Sequence, residues 1–584
     1  RKTNFRFETF IRKAFSYFCI MIYKKTKWLS IAIVSATLLS LFSFTNANEK
    51  FFEIAKSLDI FTTLYKEVNS YYVDEVNPTQ FMKTGIDAML ESLDPYTNYI
   101  PEDEIEDYRT ITTGQYAGVG AVIGKRGEKS IILMPYENFP AHKAGLKVGD
   151  ELIEVDGISV KNKGTSEIGK LLKGAAGTEV KVTYHRYGQK ENVQVVLIRE
   201  KIKVENIPYY GMLNNEVGYL HLTDFTSSAS KDIKDALQKM KEQGAKKLVF
   251  DLRDNPGGLL NEAIAIANIF IPKDKEIVST KGKVSEWNKT YMSLDAPIDT
   301  EMPIIVLTSG RSASASEIVS GVLQDYDRGV LIGQKTFGKG LVQATLPLAY
   351  NAELKITTAK YYTPSGRCIQ AIDYSNRKED GSATKFADSL RKEFKTLVHG
   401  RKVYDGAGIT PDKEIERPVY APITQSLIEK SLIFDYATLY STEHKSIAAA
   451  RDFKISDDEY SKFVSWLKDK EYDYTTKVEM NIDEMIKNAK KEKYYDGIKE
   501  KIEALKNEIK HNKEHDIIKF KEDIRQELES EIVSRYYLHR GAIEYSFNHD
   551  VDVKEALRLF ANMDEYHKIL KGTKYLLRVR VSGG

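Results

Sequence analysis

The chain has 584 residues, too many for one small binding module and room for about four units at roughly 150 residues each. Its 86 Lys+Arg against 84 Asp+Glu leave a formal charge of +2, without the basic excess that draws a protein onto nucleic acid. A 42% hydrophobic and 29% charged composition with 36 Gly and 15 Pro excludes a disordered or collagen-like chain, and two cysteines, Cys19 and Cys368, exclude a disulfide framework or thiolate zinc cluster.

Lys24, Lys25 and Lys27 precede an uncharged run from Leu29 to Phe44, which is followed by Thr45-Asn46-Ala47. The run is short for a membrane span, which needs about 20 residues, and the small-residue end resembles a cleavage site. Residues 1–47 therefore read as an upstream segment and signal peptide. The expectation is an exported, periplasmic protein, with an uncleaved membrane anchor as the alternative.

From Phe51 to Leu93, Ile54, Leu58, Phe61, Leu64 and Val68, then Phe81, Ile86, Met89 and Leu90, recur at helical spacing. This predicts two or three helices from Phe51 to Leu93, broken at Asn77-Pro78, in an N-terminal helical region at 48–113. Between 114 and 202 short alternating runs punctuated by glycine predict a β-rich module. Its strands are expected at 121–123, 130–134, 151–155, 180–184 and 193–198, with short helices at 141–146 and 167–172. From 203 to 420 strands at 218–222, 247–252, 303–307 and 330–333 alternate with helices at 229–242, 260–270 and 315–324, which predicts an α/β core. The region 421–584 reads as a charged helical extension. Ile498, Ile502, Leu505 and Ile509, then Ile517, Phe520, Ile524 and Leu528, make its apolar stripes.

Three segments carry chemistry. Ser312-Ala313-Ser314-Ala315-Ser316-Glu317 opens a helix after a buried strand, where a hydroxyl can stand beside free backbone N–H groups. A serine with Glu317 as a simple capping box is the plainer reading. Lys339, between Gly338 and Gly340, can be turned inward, and burial lowers a lysine's pKa towards neutrality, which leaves the free amine available to accept a proton. Gln343 is the amide positioned to hold it. No histidine falls in either segment, so a Ser-Lys pair is favoured over Ser-His. Asp251 to Gly258, DLRDNPGG, runs from a strand into a Gly-Gly turn that lets backbone N–H groups approach an oxyanion.

Together DLRDNPGG, SASASEIVSG and KTFGKGLVQ, with LESLDPYTNYI at 90–100, KYYTPSGRCIQ at 360–370 and GITPD at 408–412, closely resemble the carboxyl-terminal processing peptidases, or tail-specific proteases. The resemblance implies a Clp/crotonase-like spiral core at 203–420 with an inserted PDZ domain at 114–202. It implies Ser314 as nucleophile, Lys339 as base, Gln343 as support, and Ala315 with Gly257 or Gly258 as oxyanion donors. Asp325 matches an acidic position that reads as structural support. Gly118, Val119, Gly120 and Ala121 resemble the PDZ carboxylate-binding loop, whose N–H groups take a terminal carboxylate while the peptide adds as a strand. Lys173-Gly174 departs from the Arg-Gly of many relatives and loses the bidentate fork.

The implied function is an exported serine endopeptidase that captures protein or peptide tails and needs no metal or organic cofactor. The helical ends are candidates for pairing subunits or receiving an adaptor or activator. A PDZ-centred scaffold with a silent core and acyl-CoA chemistry on a crotonase-like core are the rivals. Retention of serine, lysine and glutamine in register speaks against the first; the second requires no Ser-Lys pair or PDZ module, and the export signal argues against it.

Overall fold

The computed structural model describes residues 50–572, so the segment 1–47, expected to include a signal peptide, lies outside the described residues. The chain divides into two units, 1–89 and 90–584. In the first, a helix spans 50–71 and a second begins at Pro78–Glu91. Asn77 Oδ1 accepts the Gln80 N–H at 3.0 Å, and Pro78 occupies the first helical position, where its missing donor costs nothing. Tyr65 stacks on Phe81 with ring centroids 5.8 Å apart, and its hydroxyl donates to Pro78 O. These are two helices over 51–93, where two or three are expected.

In the second unit the α/β core is a six-stranded sheet ordered Tyr209–Met212, Val217–His221, Lys247–Asp251, Ile304–Thr308, Gly329–Gly333 and Lys413–Glu414, parallel from the second strand onward. Its central strands, Lys247–Asp251, Ile304–Thr308 and Gly329–Gly333, are continuous apolar runs because both faces are covered. Leu248, Phe250, Ile304, Val306 and Leu331 point into a core shared with the helices Ala229–Glu242, Leu260–Phe270 and Ala315–Asp325. The alternate residues Val249, Ile305, Leu307, Val330 and Ile332 point into a second core, completed by the helices Val551–Ala561 and Met563–Leu570. Each strand thus feeds two cores with a period of two.

A second, antiparallel sheet was not expected. Glu353–Tyr362 lies between Asn98–Ile100 and Glu276–Gly282 and also pairs with Leu341–Pro347, the strand that follows the lysine turn. Its side chains are mostly half-buried and mixed in polarity, so its alternation carries little hydrophobic contrast.

The β-rich module is a six-stranded antiparallel sheet with Ala121–Arg126 at one edge. The strands expected there are all present; the helix expected at 141–146 ends at Lys143, ahead of Gly145 with φ +80°. The charged extension packs a helical core around Leu427, Phe463, Ile524, Leu528 and Ile532. The β module leans on it through Arg126, which donates to Ser431 O at 2.5 Å, pairs with Asp435 at 2.8 Å and lies over the Phe434 ring.

Candidate active site

The buried strand Ile304–Thr308 delivers the chain into the serine turn, where the three serines have different fates. Ser312 and Ser316 are fully buried. The Ser312 hydroxyl donates to Leu252 O at 2.7 Å, and that of Ser316 to Asn255 O at 3.0 Å. Ser314 is partly exposed and sits at φ +55°, ψ −112°, a sparsely populated region that persists only where surroundings enforce it. Its hydroxyl makes no capping bond.

The surroundings that enforce it begin with the glycine turn. Asn255 is fully buried, its amide donates to Leu222 O, its Oδ1 accepts the Gly257 N–H at 2.8 Å, and its carbonyl accepts the Ala313 N–H. Gly257 has φ +102°, and a Cβ there would stand 2.7 Å from Ala313 O and 2.8 Å from Ser314 Cβ, so nothing larger fits against the serine turn. Because Asn255 holds the Gly257 N–H, the two glycines are not equivalent. Among the described residues neither the Gly258 N–H nor the Ala315 N–H has an acceptor; the latter is free because the first turn of a helix leaves its donors unpaired.

The lysine turn is tied to the serine by one carboxylate. Glu317, fully buried, accepts the Ser314 N–H at 2.8 Å, the Thr336 hydroxyl at 2.5 Å, the Gly338 N–H at 2.7 Å and the Lys339 N–H at 2.8 Å. Burial pushes its carboxyl up to about 7 against the pull of those four donors. Lys339 Nζ lies 4.1 Å from the centroid of the Tyr96 ring. Burial, aided by the nearby Lys355 charge and opposed by Glu317 and Asp94, brings its ammonium down from 10.5 to about 8. Gln343 does not hold Lys339: its amide donates to Thr357 Oγ1 at 3.2 Å, the residue opposite it in the strand pair. Thr357 N–H in turn donates to Thr97 Oγ1, and Thr97 is held by Asp94, so the 94–97 turn buttresses the site.

Ser314, Ala315, Gly257, Gly258, Lys339 and Gln343 line one cavity of about 370 Å³. No hydrogen bond joins Ser314 Oγ to Lys339 Nζ among the described residues. Glu317 was legible only as a capping residue. Asn255, Tyr96 and Lys355 were missed, although the first two fall within segments already marked. Asp325 lies fully buried away from this cavity, paired with Arg367 at 2.7 Å and accepting the Ser365 N–H.

In the β module the edge strand Ala121–Arg126 follows the 118–121 loop. The Val119 and Gly120 carbonyls accept from Ala141 N and Tyr136 N, while their own N–H groups have no acceptor among the described residues. Gly120 has φ +72°, and a Cβ there would stand 2.6 Å from Phe139 Cβ. Lys173 Nζ pairs with Asp107 at 2.6 Å. Asp107 belongs to the helix Ile105–Thr113, whose Tyr108, Ile111 and Thr112 line the Ser314 cavity.

Residues 216–375 match the family model of peptidase family S41, residues 131–186 that of the PDZ domain, and residues 423–560 that of a probable PDZ-protease C-terminal helical domain. A carboxy-terminal-processing protease of Bartonella bacilliformis is 37% identical over 334 residues, 56% of this chain and 76% of that protein. A probable CtpA-like serine protease of Staphylococcus aureus is 35% identical over 356 residues, 59% of this chain and 71% of that protein. Among solved structures, the photosystem II D1 C-terminal processing protease is 26% identical over 61% of this chain and 92% of that one, with a TM-score of 0.34.

Proposed function

The chain belongs to the carboxy-terminal-processing proteases of peptidase family S41 and is a serine peptidase with a PDZ domain, and from that premise we propose that Ser314 is its nucleophile and Lys339 its general base. The observation that carries the assignment is Glu317, one carboxylate bonded to the backbone of both residues at 2.8 Å. Neutral Lys339 takes the Ser314 proton as Oγ attacks the peptide carbonyl. The oxyanion forms against the Ala315 and Gly258 N–H groups, the donors left uncommitted when Asn255 takes Gly257. Lys339 then gives its proton to the leaving amine, and water hydrolyses the acyl-enzyme. Gln343 orders the strand beside the base through Thr357.

The substrate is a protein whose C-terminal carboxylate docks on the Val119 and Gly120 N–H groups, with its tail added to the Ala121–Arg126 edge. The Lys173–Asp107 pair supports communication between that groove and the Ser314 cavity, although an exposed pair is worth about 1 kcal/mol at most. Export is supported by Lys24 to Ala47, and sequencing the N-terminus of protein recovered from the cell envelope would test it. The catalytic assignment is tested with a substrate bearing an unstructured apolar tail. Ser314→Ala and Lys339→Ala should each abolish cleavage, and undiminished cleavage by either would overturn it.

A further inference from the structure

Lys355 lines the Ser314 cavity with no carboxylate partner among the described residues. It stands on the strand Glu353–Tyr362 opposite Asn98 on one side and Thr345 on the other. Two residues on, Thr357 receives the Gln343 amide, so Lys355 shares the face that looks into the Ser314 cavity, which it lines together with Lys339. It is half-buried, and among the described residues its ammonium makes neither a hydrogen bond nor an ion pair. Lys173 and Lys203, nearer the β module, by contrast pair with Asp107 and Asp232. A partly buried ammonium left unpaired costs free energy, and burial accordingly depresses its protonation. Such a group is stabilised when a ligand supplies the missing charge.

We propose that Lys355 is a specificity-determining residue whose ammonium receives a carboxylate of the substrate chain lying across the Ser314 cavity, so that bonds beside an acidic group are cut in preference. The inference rests on the assignment of Ser314 and Lys339 above. The carboxylate belongs either to an Asp or Glu side chain flanking the scissile bond or to the end of the substrate itself, and the same chemistry serves both.

The test uses the full-length enzyme and peptides sharing one apolar tail, with Glu or Gln placed in turn at each position flanking the scissile bond, each made as free acid and as C-terminal amide. At one position Glu should raise kcat/KM on the order of tenfold over Gln, the scale of one hydrogen bond to a charged group. Lys355→Met should remove that difference, and Lys355→Glu should transfer the preference to a Lys-bearing peptide. An acid-over-amide preference that disappears in Lys355→Met would support the terminal carboxylate as the source; one that survives belongs to the PDZ groove. Equal rates for Glu and Gln at every position, together with an acid-amide gap indifferent to Lys355, would overturn the proposal. Should Lys355→Met fail to turn over, the same comparisons are read as peptide affinities in Ser314→Ala and Ser314→Ala/Lys355→Met. Cleavage surviving in Ser314→Ala would instead sink the catalytic assignment.

Discussion

Replacing Glu317 by glutamine keeps its volume and removes its charge and one acceptor. Four donors converge on this carboxylate, Thr336 Oγ1 and the Gly338 N–H on one oxygen, the Ser314 and Lys339 N–H groups on the other. If the new amide nitrogen faces Ser314 and Lys339, both N–H groups are orphaned. If it faces Gly338 and Thr336, the threonine hydroxyl can turn to accept and only the Gly338 N–H is lost, so this is the cheaper arrangement. One buried unsatisfied donor costs about 1–3 kcal/mol, and the three remaining bonds lose their charge assistance. The expected result is a stability loss of about 2–4 kcal/mol, seen as a lowered midpoint in urea or heat. Since the orphaned donor immediately precedes Lys339, a displacement approaching 1 Å would reduce kcat/KM by roughly a hundredfold. The assay is cleavage of a tail-bearing peptide at pH 8, where Glu317 is ionised in the parent enzyme, alongside the unfolding curve. Glu317→Gln with parental kcat/KM and parental stability would refute the reasoning that this carboxylate clamps serine to lysine.

Three further outcomes follow from the same geometry. With Lys339 near 8 and required as the neutral amine, only about a tenth of the enzyme is competent at pH 7. If Lys339 is the base, kcat/KM should therefore climb about fivefold from pH 7 to 8 and about twofold more by 9, where it levels off, with a steeper fall below 7 where Glu317 also takes up a proton; a flat profile from 6 to 9 would contradict this. Gly257→Ala places a methyl 2.7 Å from Ala313 O at a φ of +102°, so it should lower turnover at least on the order of a hundredfold through the serine turn and oxyanion donors; activity within threefold of the parent would count against it. Gly120→Ala, at φ +72° and 2.6 Å from Phe139 Cβ, should strain the carboxylate loop by about 1–3 kcal/mol and raise KM for tail-bearing proteins about tenfold, and an unchanged KM would remove the loop from tail capture.

The strand-turn-helix around Ser314 was legible because strand Ile304–Thr308 is wholly buried and its run is unbroken. Which serine is available was not, since Ser312, Ser314 and Ser316 differ only in where the glycine turn presses against them. Glu317 was half legible. Its place three residues into the helix announced a cap, but Thr336, Gly338 and Lys339 reach it only because Gly329–Gly333 pairs in parallel with Ile304–Thr308, a long-range fact no local pattern carries. The strand bearing Lys355 was hidden for another reason: charged and half-buried side chains mask a period of two. In the helical extension Ile517, Ile524 and Leu528 are buried, whereas of the stripe at 498–509 Ile502 is buried and Leu505 is 45% exposed; helix Tyr495–Lys519 joins the helical core only near its end, through Ile517.

The two helices at 551–570 cover the second face of the catalytic sheet, with Tyr566 bonded to both N–H and carbonyl of Ile304 and Arg253 of the glycine turn gripped by Asp550 and Asp552. During synthesis the strands from 217 to 333 emerge more than two hundred residues before their cover does. Half of their apolar surface stays bare until the last of these helices is made, and parallel pairing between distant strands is slow in any case. In chain order, the sheet that carries the Ser314 turn is therefore complete on both faces only once residues 551–570 have been added.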